Sequence, residues 1–147
     1  MSQAPKAPMV IVQNLVQARA VLAVASQRNR PVLLRSPETT SAAIGPAIFV
    51  ETTKLARASY PEGFVGAIFD CGAEAGLAIA ALWYGDCHII VNTELETTKK
   101  IKKLAEAKGV TALDKQALED TSFAVLDLKD ASSVSSMVEN FLKNIDP

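Results

Sequence analysis

The chain has 147 residues, of which 49% are hydrophobic and 21% charged, a profile that fits one globular domain and excludes a disordered or low-complexity protein. It is too short for an eight-stranded (β/α) barrel, which takes about 250 residues. Fifteen Lys and Arg against sixteen Asp and Glu, with 5% aromatics, supply neither the basic field nor the stacking platforms of a nucleic-acid binder.

In chain order, Met9-Val10-Ile11-Val12 predicts strand 1. Asn14 then caps a helix to about Asn29, with Gln17 completing a capping box and Pro31 ending it. Val32-Leu33-Leu34 predicts strand 2, and a loop follows through Ser36-Pro37-Glu38-Thr39-Thr40-Ser41. Pro46 suits the first turn of the next helix, which reaches about Ser59. Phe64 to Phe69 predicts strand 3, and Asp70-Cys71-Gly72 turns the chain. Ala73 to Tyr84 predicts a buried, Ala-rich helix with Gly85 as its C-terminal cap. His88 to Val91 is strand 4. Thr93 and Glu96 predict a second capping box, on a helix that Gly109 stops. A short helix over Asp114 to Glu119 precedes strand 5 at Phe123 to Leu126. Asp130 opens the last helix, where Val134, Met137, Val138, Phe141 and Leu142 mark one buried face.

Five strands alternating with helices predict an α/β fold, one domain over residues 1–147, with a parallel sheet. The strands are apolar at successive positions, as strands buried on both faces are. Two strand orders follow. The sequential order 1-2-3-4-5, an opened half-barrel, puts every helix on one face because crossovers are right-handed. It leaves an apolar sheet face for a second subunit to cover. The doubly wound order 2-1-3-4-5 covers both faces without a partner, and is the expected one.

The longest apolar run, Leu77 to Tyr84, is far short of the roughly 20 residues of a membrane span. The first residues lack the apolar core of a signal peptide, and two cysteines make no secreted disulfide framework. A cytoplasmic location without membrane contact is the expectation. The run Lys99, Lys100, Lys102, Lys103 and Lys108 reads as a solvated helix face.

In parallel α/β proteins ligands bind at the carboxyl ends of the strands. Asn14, Arg35, Ser36, Asp70, Cys71, Asn92, Thr93 and Asp127 gather there. Asn14 and Thr93 read as helix caps. Asp70, after five apolar residues, is the candidate catalytic carboxylate, able to act as a base or hold a polyol hydroxyl. Arg35 and Ser36 are candidates for a carboxylate or phosphate, and Cys71 and Asn92 complete the candidate ligand site. Gly72 to Gly76 is not a dinucleotide fingerprint, no P-loop is present, and strand 1 is not followed by the Gly/Ser/Thr cluster of a flavin phosphate loop. Cys71 ends strand 3 while Cys87 and His88 start strand 4, at opposite edges, so neither a disulfide nor a shared metal is expected. No cofactor is expected.

Met9 to about Val110 resembles the first half of the class II fructose-bisphosphate aldolases, zinc-dependent TIM barrels. The likeness lies in Asn14-Leu15 with Gln17-Ala18, Pro31 to Leu34 with Ser36-Pro37, Phe64 to Gly72, and Ile89-Ile90-Val91. The resemblance implies that Asp70 matches the family's acid/base Asp and Gly72 the following Gly. Cys71 replaces the zinc-binding His between them, and no histidine follows His88. Zinc-dependent aldol cleavage is therefore not expected.

Two functions remain. The first, leaning away from an enzyme, is a non-catalytic or regulatory α/β module that acts through homo-oligomerisation or a protein partner. The second is a protein that binds, or an enzyme that acts on, a small phosphorylated or carboxylated metabolite at Arg35, Ser36, Asp70 and Asn92.

Overall fold

The computed structural model describes residues 4–38, 45–121 and 123–145; the predicted loop positions Thr39, Thr40 and Ser41 lie outside them. Six strands form one all-parallel sheet: β1 (Met9–Ile11), β2 (Val32–Arg35), β3 (Phe64–Asp70), β4 (His88–Ile90), β5 (Ala112–Leu113) and β6 (Val125–Asp127). The helices between and after them are α1 (Leu15–Gln27), α2 (Pro46–Ser59), α3 (Ala75–Tyr84), α4 (Leu95–Ala107), α5 (Lys115–Thr121) and α6 (Val134–Asn144).

The α/β class and the parallel sheet agree with expectation; the strand count and order do not. The order is β5-β4-β3-β2-β1-β6, neither 2-1-3-4-5 nor 1-2-3-4-5. The two-residue strand β5 carries too short a pattern to be seen in the sequence. The strand at Val125 pairs with β1, at the far edge from β4. Handedness accounts for the layout. From β1 to β5 the chain steps across the sheet in one direction, so right-handed crossovers put α1 to α4 on one face. The step from β5 back to β6 runs the opposite way and puts α5 on the other face.

The main core lies under α1, α2, α3, α4 and α6. It joins Val10, Leu34, Phe69 and Ile89 of the strands to Leu22, Phe49, Leu82, Ile101 and Leu142 of the helices. The opposite face carries Met9, Leu33, Ile68, Ile90 and Leu113, packed under Ala117 and Leu118 of α5 with Ala7, Val65 and Phe123. Those five are buried within the single chain. α5 and the segment before β1 thus cover this face over β1 to β5, while Val125 of β6, level with Met9, stays exposed.

Local signals act as their chemistry predicts at several joints. Asn14 Oδ1 accepts the Gln17 N–H at 2.9 Å, and Gln17 Oε1 accepts the Gln13 N–H at 2.8 Å. Gly85 ends α3 at φ 89°, a conformation that suits glycine. Gly63 packs so close to α1 that a Cβ would lie 2.4 Å from the Leu22 carbonyl oxygen. The Thr93–Glu96 capping box does not form: Glu94 is the N-cap, and the Thr93 hydroxyl instead bonds the Thr98 hydroxyl at 2.7 Å. Among the described residues no helix is long and apolar enough to cross a membrane.

Candidate functional site

Three of the predicted site residues meet at the carboxyl end of β2 and β3, and they satisfy one another. Asp70 is 4% exposed. Its Oδ2 accepts from Arg35 Nη2 at 3.1 Å. Its Oδ1 accepts the Gly72 N–H at 2.9 Å, closing the turn after β3. Its own N–H donates to Ser36 Oγ at 2.8 Å. The Ser36 hydroxyl proton goes to the Pro37 carbonyl at 3.1 Å. Both carboxylate oxygens thus have donors, one of them a guanidinium. The carboxylate is thereby committed to the two neighbours that hold it.

The pleat separates these residues by face. Arg35 pairs in register with Ile68 and Ile11, so its side chain lies on the face that α5 covers. Asp70 pairs with Ile90 on that same face. Ser36, one residue beyond Arg35, turns to the helix side and lines a pocket with Phe49 and Phe69. Arg35 and Ser36 therefore do not converge on one anion. The Arg35 side chain is 17% exposed, and its Nε is buried without a hydrogen-bond partner.

The other two predicted residues are placed apart. Cys71 is fully buried in the helix-side core, and burial pushes its thiol up to about 12. This corrects its expected place in a ligand site: the position after Asp70 points inward by strand alternation. Asn92 is exposed, and its Oδ1 accepts the Lys115 N–H at 2.8 Å, at the start of α5. It acts there as a tether for α5. Asp127 accepts the Lys129 N–H at 3.1 Å and turns the chain after β6.

The residues present do not fit the zinc of an aldolase. The Cys71 thiol faces the core, and Cys87 sits at the opposite end of the neighbouring strand, just before His88. Both cysteines are free, and burial pushes Cys87 up to about 12 as well. Among the described residues no three His, Cys, Asp or Glu side chains gather as a metal set. His88 is buried, its Nδ1 accepts the Thr111 N–H at 3.1 Å, and burial holds its pKa below the usual histidine value.

A different feature escaped the sequence reading. α3, expected to be buried, is buried on one side only, through Ala78, Ala81 and Leu82. Its other side exposes Ile79 at 41% and Trp83 at 69%, beside Gly76 and Ala80. No residue of α3 is charged. Neighbouring helices hold the rim of this surface: Tyr84 donates to Glu51 of α2 at 2.8 Å, and Lys108, after α4, sits 4.0 Å above the Trp83 ring. The available signal was a helix apolar on every side in the outer layer of a small domain. Along α4, Lys99 pairs with Glu96 and Lys102 with Asp114, a solvated face as expected.

No protein-family model matches the chain, and a search of curated proteins finds no match.

Proposed function

We propose that this chain is a non-catalytic α/β module that acts by binding another protein surface, in the first instance a second copy of itself, through the outer face of α3. The observation that carries this reading is the uncharged α3 surface, with Ile79 and Trp83 exposed side by side at helical spacing. A large aromatic left in water beside an aliphatic residue is the usual centre of an interface, flanked here by polar groups of α2 and α4.

The state of Asp70 supports the non-catalytic half of the reading. The best candidate base at the strand ends is committed to Arg35 and to the Gly72 N–H. The resemblance to the front of a class II aldolase is compatible with this. A chain of that origin would keep consecutive strands β1 to β4 while serving no metal chemistry. The anionic-metabolite reading has less support, since Arg35 and Ser36 face opposite sides of the sheet.

Sedimentation velocity over a hundredfold concentration range tests the proposal. Wild type is expected to self-associate, and Trp83→Glu to stay monomeric with an unchanged circular dichroism spectrum. A wild type that remains monomeric throughout, with no complex formed, overturns the self-association reading.

A further inference from the structure

We infer that the helix-side pocket at the carboxyl ends of β1 and β2 is a binding site for a small neutral ring compound carrying one hydrogen-bonding oxygen. This site is separate from the α3 surface and does not depend on it. The pocket holds about 200 Å³. A cavity of about 150 Å³ accepts one benzene ring, so the space here fits a single ring with a short substituent. Drug-sized ligands generally occupy 300 Å³ or more.

The lining decides the chemistry. Its walls are Val12, Leu15, Ile48, Phe49 and Phe69. Phe49 and Phe69 stand with ring centroids 5.9 Å apart, tilted by 46°, and offer a surface on which a further ring can pack edge to face. None of the ten lining residues carries an ionisable side chain. The nearest strand-end cation, Arg35, belongs to the other face and is paired with Asp70. A carboxylate or phosphate placed here would lose its hydration without gaining a counter-charge.

The polar groups of the lining narrow the ligand further. The hydroxyl protons of Ser36 and Thr52 are given to the carbonyls of Pro37 and Ile48. Asn14 uses Oδ1 to cap α1, which leaves its Nδ2 as a donor, and Gln13 adds a second side-chain amide to the lining. Amide donors at the rim of an apolar pocket select an apolar body with an oxygen acceptor, such as an alcohol or carbonyl, directed outward.

The test compares benzyl alcohol with benzoate, which share the ring and differ in charge. Backbone amide shifts are followed in 15N-labelled protein, with Thr52→Leu as the variant that narrows the pocket from a half-buried helix position. Benzyl alcohol is expected to shift the amides of Leu15, Ser36 and Phe49 saturably. Benzoate is expected to bind at least about tenfold more weakly, and Thr52→Leu to weaken benzyl alcohol about tenfold while its thermal unfolding stays cooperative. The inference is overturned if these amides do not move, if shifts map elsewhere, if benzoate binds as well as the alcohol, or if folded Thr52→Leu binds unchanged.

Discussion

The carboxyl edge of the sheet and the outer face of α3 handle their surfaces in opposite ways. At the edge, polar groups are numerous and nearly all are used internally: Asp70 by Arg35 and Gly72, Ser36 by Pro37 and the Asp70 N–H, Asn92 by Lys115. On α3 the side chains carry no polar group besides the Tyr84 hydroxyl and the Trp83 indole N–H, and Trp83 and Ile79 stand in solvent. A site that satisfies itself has little left for a substrate, whereas an apolar face in water gains free energy from whatever covers it. The difference moves the functional reading from the edge, where the fold class points first, to the helix layer.

The largest expected effect probes the edge. Asp70→Ala strands a mostly buried guanidinium and an N–H that closes a turn, and should destabilise the protein by about 3 kcal/mol in urea unfolding. If the pair is structural, adding Arg35→Met to Asp70→Ala should recover at least about 1 kcal/mol, since the uncompensated charge is gone. Additive losses would show that the pair contributes nothing beyond its separate side chains.

The second effect concerns pH. Burial lowers the His88 pKa in the folded chain, whereas the unfolded value is about 6.5. The unfolded state therefore binds the proton first. The stability associated with neutral His88 is fully present above about pH 6.5 and is lost as the pH falls through the folded value. Protonation also removes Nδ1 as acceptor for the Thr111 N–H. Urea midpoints measured from pH 7.5 to pH 5 should fall, and His88→Asn should flatten that slope. A slope unchanged by the substitution would assign the loss to other groups.

Thiol reactivity is the third test. Burial pushes Cys71 and Cys87 up to about 12, so neither should form thiolate at neutral pH. Ellman's reagent should label the native protein at least about a hundredfold more slowly than the protein in denaturant. Rapid labelling of one thiol in the native state would show that this part of the edge opens.

The smallest effect returns to α3. Gly76 lies on its outer side with nothing within 4 Å of the position a Cβ would take. Gly76→Ala should stabilise the isolated chain by about 0.5–1 kcal/mol through helix propensity. The added methyl should weaken self-association if a second helix packs closely there. Stabilisation without change in association would move the contact toward Trp83.

Much of the fold is legible in the residues. Pro46, Gly85, and Asn14 with Gln17 mark element ends because each satisfies a backbone requirement locally. The order of the strands is not legible, because pairing of Val125 beside β1 depends on where a long return connection crosses the sheet. β5 escapes because Ala112 and Leu113 show no period. At the site, Asp70, Arg35 and Ser36 are visible as strand-end residues. Their mutual bonding is not, since it depends on the β2–β3 register and its shift between Val32 and Leu33. The exposure of Trp83 is hidden for a related reason: a helix apolar all round reads as buried unless its layer is known.

Trp83 is the chain's single tryptophan, so selectively excited tryptophan fluorescence reports the α3 surface alone. The most direct measurement is its emission spectrum over a dilution series at fixed pH and salt. The account predicts a blue-shifted maximum at high concentration that moves to longer wavelength on dilution, following the same dissociation curve as the sedimentation data. An emission maximum that stays at the position of a solvent-exposed indole at every concentration would contradict it.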